Sequence, residues 1–169
     1  MALVYLGLGT NLGERADNLR AAIAALARLG RVVATSGVWE TAPLYVTDQP
    51  AFLNMAVAFE TEWAPRDLLA QLKTLESELG RVASIRFGPR LIDLDILIYA
   101  GVVMDDEILT LPHPRLGERR FALAPLADIA ADLRHPVCGL SVAAMLAALP
   151  AGDDIRFVGR LAPAAPEAL

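Results

Sequence analysis

The sequence is poor in the residues that most often carry soft or redox chemistry. Its 169 residues include 1 cysteine and 2 histidines, which excludes an internal disulfide and a cysteine-rich metal cage. Lysine is as scarce as cysteine: Lys73 is the single lysine in a Lys+Arg total of 15. Long apolar runs are missing as well. Mean hydropathy is +0.44, yet stretches such as "ILIYAGVVM" reach only half of the about 18 residues that mark a membrane span. No basic segment precedes the apolar residues of "MALVYLGLGTNLGER", which predicts no secretory signal. The expectation is a cytoplasmic protein with no membrane association. A net charge of −5 gives no support to a role in coating nucleic acid.

What is present describes a globular chain. Hydrophobic residues make up 55% and charged residues 21%, and a chain of this length buries about 70% of its unfolded surface. One domain is expected over 1–160, with 161–169 as a flexible tail. Residues 2–9 read as a strand. Leu19, Ala22, Ile23, Leu26 and Leu29 recur at helical spacing over 16–29, with Gly30 as a C-terminal cap. Strand-like runs follow at 31–41 and 51–61, joined by the loop-like "APLYVTDQP". Pro65 suits the first turn of a second helix, striped by Leu68, Leu69, Leu72, Leu75 and Leu79 and ended by Gly80. A strand at 91–99 closes the series. This β-α-β-β-α-β order predicts an α+β, ferredoxin-like sandwich. Additional C-terminal elements follow: the loop "LTLPHPRLGERRF", a helix at 141–149 and a short strand "IRFVG".

The last strand of the series poses a problem. Side chains alternate faces along a strand, so Ile92, Leu94, Ile96 and Ile98 form one apolar face. Leu91, Asp93, Asp95, Leu97 and Tyr99 share the other, which is expected to look into a cleft. Aspartate is depleted in strands, and these two stand about 7 Å apart by strand rise. At an effective dielectric of about 20 they repel by about 2 kcal/mol. Something positive must face them.

Several candidates are near in sequence. Arg81, Arg86 and Arg90 precede the pair in "GRVASIRFGPRLIDLD", and Arg115, Arg119 and Arg120 follow. Arginine forks suit phosphate oxygens, although arginine abundance alone could reflect genome composition. Strand carboxylates are hard oxygen ligands of the kind Mg²⁺ takes when substrate phosphates complete its shell. A solvated strand face with incidental ion pairs is the blander alternative. "GLGTNLG" has Leu12 where a dinucleotide fingerprint needs its third glycine, so it reads as a tight turn. No glycine-lysine pair of a Walker A motif exists. His113, held between two prolines, suits contact with a phosphate or ribose better than catalysis. Phe52 and Asn54 share one strand face and could make a pocket for a flat, hydrogen-bonding ring.

Taken together these segments resemble the 6-hydroxymethyl-7,8-dihydropterin pyrophosphokinase family. The resemblance runs through "LGLGTNLGER", "ETAPLYVTDQPAFLNMAV", "LESELGR", "RFGPRLIDLDIL", "LPHPRLGERRFAL" and "PLADIA", and the R-x-G-P-R-x-x-D-x-D pattern at 86–95 is its most specific part. It implies a ferredoxin-like fold and transfer of pyrophosphate from ATP to the pterin hydroxymethyl group, releasing AMP. It further implies that Asp93 and Asp95 bind two Mg²⁺ ions and that Arg81 and Arg90 bind phosphate, with Arg86 on a loop closing over ATP. Phe52 and Phe121 would sandwich the pterin, while Asn54 and backbone groups near Thr41 and Leu44 read its edge. Glu76, Ile96, Thr110, His113 and Arg119 match nucleotide-side positions. Ala83, Phe87 and Tyr45 depart from residues common in the family. The expected partners are ATP and the pterin alone, acting on a monomer. Two rivals stand beside this: a Mg²⁺-dependent phosphotransferase for another acceptor, and a non-catalytic ferredoxin-like binding module.

Overall fold

The computed structural model describes residues 1–42, 48–80, 91–150 and 155–161. The first six elements are β1 (Ala2–Thr10), α1 (Arg15–Leu26), β2 (Arg31–Thr35), β3 (Val38–Thr41), β4 (Phe52–Thr61) and α2 (Pro65–Glu78). Then come β5 (Asp93–Tyr99), a hairpin of β6 (Met104–Asp105) and β7 (Thr110–Leu111), α3 (Arg120–Ala130), α4 (Val142–Ala148) and β8 (Ile155–Gly159). The main sheet runs β5-β1-β4-β3-β8, with β2 also beside β4, and these neighbours all pair antiparallel. The expected ferredoxin-like order is present, extended at one edge by β8. Among the described residues no helix is long and apolar enough to cross a membrane.

The expected strand at 31–41 is two strands, because the chain steps at Ser36 and Gly37. The Ser36 hydroxyl accepts from the Ala56 N–H at 2.8 Å and donates to the Gly37 carbonyl at 2.6 Å, so a side chain takes over one rung of the ladder. Gly37 is fixed by packing: a Cβ there would lie 2.2 Å from the Phe157 ring.

Leu6, Leu8, Leu53, Leu94 and Ile96 face α1 and α2, where they meet Leu19, Leu26, Leu68, Leu72 and Leu75. The opposite face carries Tyr5, Ala56, Ala58 and Leu97, covered by Leu123 and Leu126 of α3 and by Val142 and Met145 of α4. That face is therefore roofed over part of its length, where the sequence suggested an open cleft with a loop through residue 121. Pro125 lies inside α3; lacking an N–H, it hides a helix from pattern reading.

Alternation along β5 also fails at one point. Pairing with β1 jumps from Leu6↔Ile96 to Tyr5↔Ile98, a bulge that leaves Leu97 as the extra residue. Leu97 and Ile98 consequently both pack in the α3–α4 core, while Tyr99 returns to the α1–α2 core. The expected faces hold for Asp93 to Leu97, and Ile98 and Tyr99 exchange.

Gly80 ends α2 at φ +99, as a C-terminal cap should. Gly30 does not cap α1, which stops at Leu26. Its constraint is contact, since a Cβ at Gly30 would sit 2.1 Å from the Glu60 carbonyl oxygen and 2.8 Å from the Phe59 ring. Gly30→Ala is expected to destabilise by about 2 kcal/mol or more, read as a lower urea midpoint at unchanged slope. An unchanged midpoint would remove the packing constraint.

Candidate active site

Antiparallel partners present side chains on the same face, so the strand register defines rows across the sheet. Asp93 pairs with Gly9, Gly9 with Asn54, and Asn54 with Trp39. In the next row Asp95 pairs with Gly7, and Gly7 with Ala56. β1 thus places two glycines between the aspartates and β4. The site spans about 10 Å from Asp93 to Asn54, two strand spacings, over backbone with no side chain of its own. Neighbours lean into the space. Asn54 Oδ1 lies 3.1 Å and Phe52 3.9 Å from where a Gly9 Cβ would be.

At the β4 end, Asn54 and Thr41 are both buried, and Asn54 Nδ2 donates to Thr41 Oγ1 at 2.8 Å. That bond leaves the amide oxygen directed over Gly9. Phe52, half-buried, pairs with Thr41 across β3 and β4. Phe121 lies in the first turn of α3, the roof of the same face, and the Arg119 guanidinium lies 5.4 Å from its ring centroid. Below them "GLGTNLG" makes the tight turn expected, with Gly13 at φ +65 and Asn18 Nδ2 donating to the Leu12 carbonyl at 2.7 Å.

At the β5 end three carboxylates converge. Glu76 is buried to 2% exposure, and its Oε1 accepts from the Leu94 N–H at 3.1 Å and from Lys73 Nζ at 3.2 Å. Since β5 is an edge strand, Glu76 seals an N–H between the two aspartates. Burial, then the Asp93 carboxylate, pushes the Asp95 carboxyl up to about 7, against the pull of Lys73 and Arg119. His113 is tied to β5 by its N–H to the Leu97 carbonyl at 2.8 Å, and its Nδ1 accepts from the Arg115 N–H at 3.2 Å. Burial, then the Arg119 charge, lowers its pKa to about 4, so at neutral pH it is an uncharged donor through Nε2. Arg119 Nε is buried with no hydrogen-bond partner among the described residues.

Of the residues singled out from sequence, Thr41, Phe52 and Asn54 gather at one end, and Asp93, Asp95, Glu76, His113 and Arg119 at the other. Thr110 lies on the hairpin, its hydroxyl donating to Asp105 Oδ1 at 2.8 Å. The Ile96 side chain packs into the α1–α2 core at 3% exposure, away from the aspartates. Only its backbone on the sheet edge is left to meet a ligand. Leu44, Arg81, Arg86 and Arg90, with the departures Tyr45, Ala83 and Phe87, lie outside the described residues. Sequence reading missed Gly9 and Lys73. The alternation "GLG" inside a strand signalled the first, and the spacing of the single lysine from Glu76 the second.

The fold and site define an α+β protein of ferredoxin-like order with a two-ended cleft, polar-aromatic at β4 and acidic at β5. Residues 5–131 match the family model of 7,8-dihydro-6-hydroxymethylpterin-pyrophosphokinase, and the chain belongs to that family. It is 44% identical over 158 residues to the 2-amino-4-hydroxy-6-hydroxymethyldihydropteridine pyrophosphokinase of Pseudomonas aeruginosa, covering 92% of this chain and 97% of that one. It is 48% identical over 141 residues to the folic acid synthesis protein of Pneumocystis carinii. The match covers 83% of this chain but spans only 19% of that much longer protein. Among solved structures, an HPPK-DHPS in complex with substrates shares the fold at TM-score 0.72 and 14% identity, over 86% of this chain and 43% of that one.

The raised Asp95 pKa has a measurable consequence. The folded protein keeps a proton that the unfolded chain, with an aspartate near its ordinary value of about 3.9, gives up. Asp95 therefore costs metal-free protein stability progressively as pH rises from about 4 to about 7, and the cost levels off above. Glu40, held below its usual range by Arg156 and Arg15, and His113 slope the other way, so the readout is the difference between wild type and Asp95→Asn. The variant should be the more stable at pH 8, by at least about 1 kcal/mol, with the gap closing toward pH 4. A variant less stable than wild type at pH 8 would overturn the assignment.

Proposed function

We propose that the protein transfers the β,γ-diphosphoryl group of ATP to the hydroxymethyl group of 6-hydroxymethyl-7,8-dihydropterin, releasing AMP. The observation that carries this is the row Asp93–Gly9–Asn54. One register places an amide suited to a ring edge and a carboxylate suited to a phosphate-bound cation on either side of a side-chain-free floor. The names of the full-length relative and of the matching family support it.

Phe52 from the sheet and Phe121 from the roof would hold the flat ring by stacking, with the Asn54 oxygen accepting from its edge. Glu76, the Ile96 backbone, Thr110 and His113 would hold the nucleotide. Arg119, with a buried unsatisfied Nε, would gain a phosphate oxygen as partner; Arg81, Arg86 and Arg90 would supply further charge. Asp93 and Asp95 fit a pair of Mg²⁺ ions. They are hard oxygen donors on a rigid strand, and burial beside Asp93 makes the Asp95 charge costly until a cation balances it. When bound, the ions neutralise charge on the transferring phosphates. The hydroxymethyl oxygen bonds to the β-phosphorus, the bond from that phosphorus to the α,β-bridging oxygen breaks, and AMP leaves with that oxygen. Asp95 is the candidate acceptor of the hydroxyl proton. Positioning and electrostatics account for most of the acceleration. The chain would act as a cytoplasmic monomer with 1–160 as one domain; Leu161 also packs on the α1–α2 core.

Incubation with ATP, Mg²⁺ and the pterin should yield AMP one-for-one with pterin diphosphate, vanish with EDTA, and nearly disappear in Asp93→Asn. ADP as product would sink the proposal. Phe52→Ala and Phe121→Ala should each weaken pterin binding about tenfold, about 1.4 kcal/mol, and leave ATP affinity within about twofold. Titrations showing equal loss for both ligands would contradict the stacking role.

A further inference from the structure

The family match ends at residue 131, yet the edge of the sheet beside Thr41 and Asn54 is completed by a strand beyond it. β8 pairs with β3 as Phe157 to Trp39, Arg156 to Glu40 and Ile155 to Thr41. Its side chains grip β3 from both faces. On the site face the Phe157 ring meets Trp39 edge-on at 5.3 Å between centroids, and Trp39 is the register partner of Asn54. The Trp39 indole N–H also donates to Asp128 Oδ2 of α3 at 3.1 Å, the oxygen that takes the Gly37 N–H at 3.1 Å. On the other face Glu40 bridges Arg156 at 2.8 Å and Arg15 at 2.9 Å, tying β8 through β3 to the start of α1. β3 has only three register partners on β4. Without β8 it would be a four-residue edge strand, free to fray at the residue that orients Asn54.

We propose that β8 is a positioning element for the pterin end of the site, with Phe157 and Arg156 as its positioning residues. They touch no reacting atom. They hold Trp39, Glu40 and Thr41 so that the Asn54 amide keeps its direction over Gly9. The effect should be one-sided, because β5 and α2 at the nucleotide end lie four strand spacings from β8, about 19 Å. This inference rests on the reading of Asn54 as the pterin-reading residue.

Phe157 is 51% exposed, so its loss leaves the two cores intact. Phe157→Ala is expected to raise the KM for the pterin about fivefold, with the KM for ATP and kcat within about twofold. Phe157→Tyr, which keeps the ring, should restore the wild-type value. Combining Phe157→Ala with Asn54→Ala should give less than the product of the separate effects, because both act through one amide. A Phe157→Ala variant with unchanged pterin KM, or with equal rises for both substrates, overturns the positioning role while Asn54→Ala still raises the pterin KM. If Asn54→Ala itself leaves the pterin KM unchanged, the reading of Asn54 falls, and the inference with it. Multiplicative effects in the double variant would overturn the route through Asn54.

Discussion

Antiparallel pairing of β1 with β5 on one side and β4 on the other is the constraint from which the site follows. A strand register is all-or-none in its effect on side chains, since a slip of one residue moves every one to the opposite face. Here Leu6 and Leu8 must face α1 and α2, which sends Gly7 and Gly9 to the other face. Once they are there, Asp93, Asp95, Asn54 and Ala56 follow by pairing. The apolar core thus fixes the position of polar groups that contribute nothing to it. The glycines matter for what they omit: at Gly9 even a methyl group would crowd the Asn54 oxygen at 3.1 Å.

Electrostatics divides the two ends of that floor. At β4 the Asn54–Thr41 bond uses the amide nitrogen and leaves the amide oxygen over Gly9. At β5 the carboxylates of Asp93, Asp95 and Glu76 are brought together, with Asp95 the most deeply affected. Lys73 engages Glu76, and Arg119 acts on Asp95 and His113 from the roof. Burial, then the Asp93 carboxylate, raises the Asp95 pKa, which costs stability in the empty protein. Strain of this kind persists where the surrounding fold over-determines it, as the β1 register does here. On the proposed reading, a bound cation would release it.

Much of this was legible in the sequence because it depends on short-range pattern. The β-α-β-β-α-β order came from leucine spacing and from runs of alternating residues. Asp93 and Asp95 stood out because a charged pair on one strand face contradicts strand composition. Illegible features depended on contacts across the chain. α3 was hidden by Pro125, which pattern reading takes as a break although its covering of Tyr5, Ala58 and Leu97 holds the helix in place. The bulge at Leu97 left no local mark, since Leu97, Ile98 and Tyr99 suit either face. Gly30 read as a cap, and its actual reason, the approach of the Glu60 carbonyl, exists only once β4 lies beside it. The inward lean of Asn54 over Gly9 needed the register of β1 on β4, which no single segment states.

On the proposed reading, the same geometry selects which phosphorus reacts. Alcohols attack either the β- or the γ-phosphorus of ATP, and the metal-bound phosphates present similar charge at both. What differs is reach. The pterin is anchored by its ring edge at Asn54 on β4, and its hydroxymethyl arm is short. The nucleotide is anchored on the far side of β5, by Glu76 and the backbone of Ile96. With about 10 Å between Asn54 and Asp93, the arm comes over Gly9, and the phosphate that meets it is set by how far the nucleotide enters from the β5 edge. Attack at the β-phosphorus is then a property of two anchor points and the width of one glycine-bearing strand. A general base strong enough to discriminate is not required, because effective concentration of correctly placed groups can supply about 7 kcal/mol or more of the barrier reduction. Widening the floor would shift the arm along the phosphates and with it the choice of phosphorus.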